Sequence, residues 1–331
     1  MDRRYNCNEW VRPEADPPEY IYMTRTTLLG GPAAAIFGGR TFFAREGILV
    51  TPALELEAVD SDAQGILDAT ASGVPVTIQF TPSAPFADLM ALYPFLEGAP
   101  GCSLFGAVDA PLVLIAANGV RLTFAAVAVM QMPDLVLSTR GSAAGAVTFA
   151  ALGARSLPVA AANRLVTIDT AEFPALPSAP PQLADDFRVT WGGLPWVDLR
   201  AHDGVRVRFG MKSSPVMSAA NGVLDMTLDS LEVEVRFVPA SPEGPDEADV
   251  FAALQAQGVL PGRLLSDEAQ TLDVFGEHLW LRLPLAQLTR GPLVFEAGAG
   301  RLGEWVFVGA RAVLTTGNPA EVLAELTEGE P

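Results

Sequence analysis

Residues 44–82 read AREGILVTPALELEAVDSDAQGILDATASGVPVTIQFTP, and the chain repeats this stretch 157 positions further on. Residues 201–239, AHDGVRVRFGMKSSPVMSAANGVLDMTLDSLEVEVRFVP, align with it without a gap, and 13 of the 39 pairs are identical. Solenoid repeats are much shorter, at about 20 to 50 residues. The repeat therefore predicts two fused copies of one domain.

The length and composition agree with this organisation. The chain has 331 residues, of which 50% are hydrophobic, enough for two cores of about 150 residues each. No apolar run approaches the roughly 18 residues that span a bilayer, and no apolar segment typical of a signal peptide follows Met1. Cys7 and Cys102 are too far apart to indicate a disulfide framework or a metal site. We expect synthesis in the cytoplasm and no membrane insertion.

The charge is strongly negative, with 21 basic against 39 acidic residues and a formal net charge of −18. Such a surface repels the phosphates of nucleic acids and anionic membranes. Ordinary solubility explains this composition. A surface past which DNA slides without being held explains it equally well, and the sequence leaves both interpretations open.

Hydrophobic periodicity predicts mainly β structure in both copies. Apolar and polar residues alternate over 76–80 and again over 233–237, which is typical of half-buried strands. A short helix is expected after each strand, capped by Ser83 in the first copy and spanning about 245–258 in the second. Asn118-Gly119 predicts a hairpin turn.

These patterns divide the chain into five segments. We predict an N-terminal arm (1–25), a first β domain (26–156), a proline-rich connector (157–184), a second β domain (185–316), and a C-terminal tail with a short helix (317–331). A second hairpin is expected between residues 135–139 and 146–152.

Residues suited to catalysis or metal binding are few and scattered. His202 and His278 have no cysteine or carboxylate cluster around them, so solvated or packing roles are expected. The run Gly298–Gly303 matches G-x-G-x-x-G, but a strand follows it where the dinucleotide fingerprint needs a helix, and we interpret it as a hairpin tip. We therefore predict no enzyme activity and no cofactor.

Two further pairs have ordinary explanations. Asp68 and Asp225 occupy equivalent positions in the two copies and are interpreted as turn or cap residues. Arg206 and Arg208 lie on one strand face of the second copy alone, which indicates a solvated face or ion pairs.

The sequence resembles the major tail tube proteins of tailed phages, in their long form with two fused tube domains. The resemblance covers about residues 30–316 and rests on an ordered set of short segments: Val76–Pro82, Ala87-Asp88-Leu89, Tyr93-Pro94, Phe105-Gly106, Pro111–Leu114, Asn118-Gly119, Thr123-Phe124, Met132-Pro133, Gly145–Phe149, and Pro215–Pro239 with Val223–Leu228.

The resemblance implies two tandem, duplicated β-sandwich or barrel domains, each flanked by one short helix. It implies a structural virion protein, assembled in the host cytoplasm, whose rings stack into the tail tube that conducts DNA into the host. Two domains per chain imply a trimeric ring of pseudo-sixfold symmetry. The implied partners are other copies of the chain, a tape-measure protein, tail-tip and terminator proteins, and DNA that passes without specific binding.

Two sets of residues are candidates for assembly contacts. The ring-stacking candidates belong to two loops expected at about 52–65 and 210–222: Pro52, Asp60, Asp62, Gly65, Met211, Pro215 and Asn221. The ring-closing candidates belong to the two alternating strands: Val76, Ile78, Phe80, Val233, Val235 and Phe237. A closed ring would protect free sheet edges from uncontrolled pairing.

Two alternatives stay open. One is another tube-fold component of the tail or baseplate. The other is a soluble two-domain β-sandwich module that binds sugar or peptide, which would need an exposed aromatic platform. Four tryptophans of the second copy are candidates for it: Trp191, Trp196, Trp280 and Trp305.

Overall fold

A computed structural model describes the protein over residues 32–52, 55–61, 65–73, 76–96, 101–107, 110–138, 143–151, 166–176, 187–192, 199–218, 222–240, 270–276, 279–291, 293–296, 299–309 and 325–328. This part of the chain is mainly β, as predicted. It forms two large sheets and two separate hairpins, and every strand pairing described in them is antiparallel.

The first copy of the repeat contributes twelve described strands and two short helices. These are β1 (Ala33–Phe37), β2 (Arg40–Pro52), β3 (Glu55–Ser61), β4 (Gly65–Gly73), β5 (Val76–Ser83), α1 (Phe86–Leu89) with a 3-10 turn (Met90–Leu92), α2 (Leu104–Ala107), β6 (Leu112–Ala116), β7 (Val120–Phe124), β8 (Val127–Gln131), β9 (Leu135–Leu137), β10 (Ala143–Ala144), β11 (Val147–Ala151) and β12 (Val166–Thr170).

The second copy contributes nine described strands. These are β13 (Arg188–Trp191), β14 (Leu199–Ser218), β15 (Gly222–Ala240), β16 (Gln270–Phe275), β17 (Leu279–Arg290), β18 (Leu293–Glu296), β19 (Ala299–Leu302), β20 (Trp305–Gly309) and β21 (Glu325–Glu328).

The sequence repeat is also a repeat of strand register. Strands β2 and β3 correspond to β14, and β4 and β5 correspond to β15. The paired residues recur 157 positions later, even across the β-bulges: Ala44 with Pro82 and Ala201 with Pro239; Ile48 with Phe80 and Val205 with Phe237; Val59 with Asp68 and Val216 with Asp225. The two copies therefore share one pairing scheme.

Each copy is built around a six-stranded barrel. In the second copy the pairings run β14-β13-β16-β17-β20-β15 and return to β14. In the first copy the corresponding pairings run β7-β6-β1-β2-β5-β11-β8. Strands β7 and β8 follow each other along the chain through a bend at residues 125–126, and together they take the place of the single strand β17. An added edge strand pairs with the same part of each barrel, β12 on β7 and β21 on β17.

Matching aromatic side chains occupy the centres of the two barrels. Phe149 lies edge-on to Phe37, with ring centroids 4.9 Å apart, and Phe307 lies edge-on to Trp191 at 5.1 Å. Each of these phenylalanines also stacks on its barrel neighbour, Phe80 or Phe237. All six rings are buried, and the buried apolar residues of both copies form one continuous core.

Local predictions for the first copy are largely confirmed. Burial alternates along β5, with Thr77 and Gln79 exposed between buried neighbours. The hairpin predicted at Asn118-Gly119 joins β6 to β7, and Gly119 has a φ of +83°, a conformation that glycine adopts without strain.

The helix after β5 forms, but Ser83 does not cap it. Ser83 is the last residue of β5, and Pro85 is the N-cap, without a side-chain hydrogen bond. The strand continues further than expected because Ser83 still pairs with Phe43 of β2. The helix predicted at about 245–258 in the second copy lies outside the described residues.

Three other predictions are corrected by long-range pairing. Residues 166–170, expected in the connector, form β12 and pair with β7. Glu325 and Leu326, expected at the end of a C-terminal helix, belong to β21, because pairing with β17 buries Leu326. Strand β9 pairs with the short β10, while β11 pairs with β5 and β8 and forms no hairpin with β9.

Candidate assembly interface

The two copies are joined by a shared strand pairing. Strand β9 of the first copy lies along the outer edge of β14, the edge turned away from β15, in the second copy. The register is antiparallel and pairs Leu137 with Val205, Val136 with Arg206, and Leu135 with Val207. The first copy thus donates a hairpin, β9–β10, and the second copy accepts it.

Asp134 fixes the start of the donated hairpin. Its carbonyl oxygen accepts the Gly145 N–H at 2.7 Å, closing the hairpin base. Its carboxylate Oδ1 accepts the backbone N–H of Phe209 at 3.2 Å and so ties the hairpin to β14. One residue therefore sets both the shape of the hairpin and its position on the second copy.

A glycine lets the hairpin approach β14 closely. Gly204 has a φ of +95° at the bulge of β14, and a Cβ atom added to it would lie 2.0 Å from the carbonyl oxygen of Leu137. Heavy atoms do not approach so closely without a bond, so any larger residue at position 204 would displace β9.

Tyr93 anchors the helical side of the junction. Its ring is buried against Phe209, with centroids 5.1 Å apart, and its hydroxyl donates to the carbonyl of Pro133 at 2.9 Å. Burial raises the pKa of the Tyr93 hydroxyl well above its ordinary value, and the charge of Asp134 raises it further. Tyr93 therefore keeps its proton, and this hydrogen bond, into the alkaline range in which an exposed tyrosine ionises.

Strands β14 and β15 pair along most of their length as a two-stranded ribbon. Its end beyond the barrel (residues 210–218 and 222–231) extends over the first copy and is called the arm. Leu228 is fully buried there; its N–H donates to the carbonyl of Cys102 at 3.0 Å, and its carbonyl accepts the Gly101 N–H at 2.6 Å. The Ser103 hydroxyl donates to the Asp225 carboxylate at 2.6 Å. Hairpin and arm together make a two-sided contact between the copies.

The predicted ring-closing residues lie inside the barrels. Their side chains are buried, and β5 is paired on both edges, with β2 and β11, as β15 is with β14 and β20 at residues 234–237. These strands have no free edge there for another chain, and we revise the assignment accordingly. The residues concerned are Val76, Ile78, Phe80, Val235 and Phe237. Val233 lies one residue before the β15–β20 pairing and pairs with Phe209 of β14, and its side chain is also fully buried.

The predicted stacking loops are largely strands. Pro52 ends β2, Asp60 lies in β3, Gly65 begins β4, and Met211 and Pro215 lie in β14. Both faces of a two-stranded ribbon can meet solvent, so polar composition did not distinguish these strands from loops. Asp62 and Asn221 lie outside the described residues.

The residues considered for chemistry are dispersed. His202 lies in β14, and Asp68 and Asp225, which we interpreted as turn or cap residues, lie instead in strands β4 and β15. His278 lies outside the described residues. Within the described ranges, no group of three or more histidine, cysteine, aspartate or glutamate side chains could hold a metal ion, and no helix is long and apolar enough to cross a membrane.

The glycine-rich run lies in a hairpin, but its described part is a strand and not the tip that we predicted. Residues 293–296 and 299–302 pair as the hairpin β18–β19, and strand β20 follows. No helix begins after the glycines, so the dinucleotide fingerprint lacks its structural context.

Two of the tryptophans are unavailable to an aromatic platform. Trp191 and Trp305 are buried in the second barrel. Trp280 is half-buried beside Arg282, whose guanidinium lies 4.7 Å from its ring centre, and both side chains donate hydrogen bonds to Asp273. Trp196 lies outside the described residues.

Sequence reasoning did not find the junction, although a signal for it exists. Leu135-Val136 of β9 recurs as Leu293-Val294 of β18 at a shift of 158, and Gly47 recurs as Gly204 at a shift of 157. A search of the repeat for recurring apolar segments and bulge glycines would have marked the two elements of the contact, but not their pairing with each other. Comparison of the sequence with known protein families and with curated proteins finds no match.

Proposed function

We propose that the chain is a structural subunit of a phage tail tube, in which copies assemble into rings that stack around a channel for DNA. The observation that carries this proposal is the β9–β14 junction, where one barrel donates a hairpin to the edge of a second, equivalent barrel. Such a head-to-tail contact uses two different surfaces and can be repeated. It closes into a ring when the rotation between units allows.

The charge supports the same role. With a net charge of −18, the chain repels DNA phosphates, and a conduit should not retain the molecule that passes through it. In this role the chain binds other copies of itself, meets a tape-measure protein inside the tube and tip or terminator proteins at its ends, and resides in the virion tail after assembly in the host cytoplasm.

Negative-stain electron microscopy of the concentrated chain, together with light scattering, tests the proposal. The expected result is rings or tubes with an open centre, containing three chains per ring and six similar lobes. Six chains per ring would overturn the trimer. A strict monomer at high concentration, or oligomers without a channel, would overturn the tail tube itself.

A further inference from the structure

The β9–β14 pairing leaves one counterpart unused on each copy. The first copy has used its hairpin β9–β10, and the second copy has the equivalent hairpin β18–β19, which pairs with no other described strand. The second copy has used the outer edge of β14 at 205–207. The equivalent residues of β2, 48–50, pair with β5 alone among the described strands.

The hairpins correspond residue by residue. Leu135 pairs with Ala144 at the base of the first hairpin, and Leu293 pairs with Leu302 at the base of the second. Both pairs enclose the same number of residues. The strand that follows each hairpin, β11 or β20, carries the phenylalanine that stacks on β5 or β15. The second hairpin is therefore a donor of the same length and connection.

The free edge of β2 borders an open cleft of about 530 Å³. Residues 46–50 of β2 line it, together with Ala33 of β1, residues 79–81 of β5 and residues 114–116 of β6. Leu49 is 60% exposed at this edge. The cleft therefore presents an unpaired strand edge beside an apolar side chain.

The bulge glycine of the first copy fits the same contact. A Cβ atom added to Gly47 would have no heavy atom within 4 Å, whereas one added to Gly204 would collide with Leu137 of the docked hairpin. The space beside Gly47 therefore matches the space that the docked hairpin occupies beside Gly204. No described residue of the chain occupies it.

We propose that β18 of one chain pairs antiparallel with the outer edge of β2 in the next chain. Transfer of the observed register sets three pairs: Phe295 opposite Ile48, Val294 opposite Leu49, and Leu293 opposite Val50. Strand addition to a free edge supplies main-chain hydrogen bonds, and the register sets residue 294 directly opposite the exposed Leu49. The assignment rests on the proposed self-assembly and names the surfaces that close the ring.

Donor and acceptor lie on opposite copies of the chain, so the contact is head-to-tail. Two chains that exchange a single contact still have one free hairpin and one free edge. Growth therefore continues until the last hairpin meets the first edge, and closure removes every free edge of this kind.

Disulfide trapping tests the register. In a chain with Cys7→Ser and Cys102→Ser, we combine Leu49→Cys with Val294→Cys, because residues directly opposite in antiparallel strands have Cβ atoms about 4.5–5.5 Å apart. The expected products of mild oxidation are covalent oligomers up to the ring size. Monomers alone would overturn the proposal, whether the hairpin stays unpaired or another segment of the same chain covers the cleft.

Two matched variants make the test decisive. Val136→Cys with Arg206→Cys places the same geometry inside one chain, so it must close within the monomer at every concentration. Leu176→Cys with Val294→Cys uses another exposed apolar residue, 64% exposed but outside the cleft, and must give no ordered ladder. Closure of the first control without oligomers from the Leu49 and Val294 pair counts against the proposed register.

The two proposals fail separately. Rings in the microscope without cross-linked oligomers would leave the tube intact and remove this interface. Cross-linked oligomers that never enclose a channel would leave the interface intact and remove the tube.

A charge exchange gives a second readout that does not depend on oxidation. Leu49→Glu with Val294→Glu sets like charges opposite each other and should abolish rings, while Leu49→Glu with Val294→Arg should restore them. Equal assembly of both variants would contradict the register.

Discussion

Gly47 and Gly204 share one backbone conformation, with φ values of +92° and +95°, but only Gly204 has a neighbour that a Cβ atom would strike. Alanine at either position carries the same cost of a positive φ, about 1–2 kcal/mol. Gly204→Ala must in addition push β9 away from β14, so we expect it to lose about 1–3 kcal/mol more. Urea unfolding of dilute, monomeric chain measures the difference.

Alanine substitutions at the same two glycines distinguish an effect on folding from an effect on assembly. Gly47→Ala should leave the monomer folded and stop ring formation, because its Cβ would meet the incoming hairpin as it does at Gly204. Equal losses of stability at the two glycines, or rings formed by Gly47→Ala, would contradict this account.

Tyr93 makes the junction sensitive to alkaline pH. Its pKa is raised in the folded chain. Above about pH 10 the unfolded chain therefore loses this proton while the folded chain keeps it, and the stability must fall as the pH rises. Tyr93→Phe removes the titrating group, so its stability should decline less steeply between about pH 10 and 12.

At neutral pH the same substitution tests the hydrogen bond to Pro133. We expect a loss of about 0.5–1.5 kcal/mol in the free energy of unfolding. Parallel pH profiles for wild type and Tyr93→Phe would show that the hydroxyl is not buried as the structure places it.

Leu228 holds the arm of the second copy against the first. It is fully buried, so Leu228→Ala should cost about 2–5 kcal/mol. Val216→Ala in the same arm is the matched control, because Val216 is 41% exposed and should change the stability by less than about 0.5 kcal/mol. Limited proteolysis should cut the arm of the first variant sooner; equal resistance would contradict its role as an anchor.

The continuous core predicts that the two copies unfold together. Phe149 and Phe307 occupy equivalent, fully buried places, and alanine at either should cost about 3–5 kcal/mol. Each variant should lower one shared thermal transition in calorimetry. Two resolved transitions, with only one of them moved by each variant, would mean that the copies fold independently.

Much of the fold could be read from local pattern. The repeat aligned Gly47 with Gly204, and period-two alternation identified β5, whose burial follows it. The turn at Asn118-Gly119 needs a positive φ, which a two-residue signal reports directly. These features depend on residues that are near one another in the sequence.

The junction could not be read in this way because strand pairing is not local. Leu135-Val136-Leu137 is a short apolar segment that would suit any free edge, and its choice of Val205–Val207 depends on the bulge at Gly204 and on Asp134. Leu326 illustrates the same limit, since its spacing suited a helix until pairing with β17 placed it in a strand. Long-range partners decided both cases.

The covalent connection between β9 and β14 also changes how the proposed assembly would depend on protein concentration. Their union costs none of the translational and rotational entropy of a bimolecular association, estimated at about 4–15 kcal/mol. In a ring of such chains, one of every two contacts between barrels is therefore already formed within a single chain. At equilibrium, an assembly of six barrels then depends on the third power of the protein concentration, where separately synthesised barrels would require the sixth.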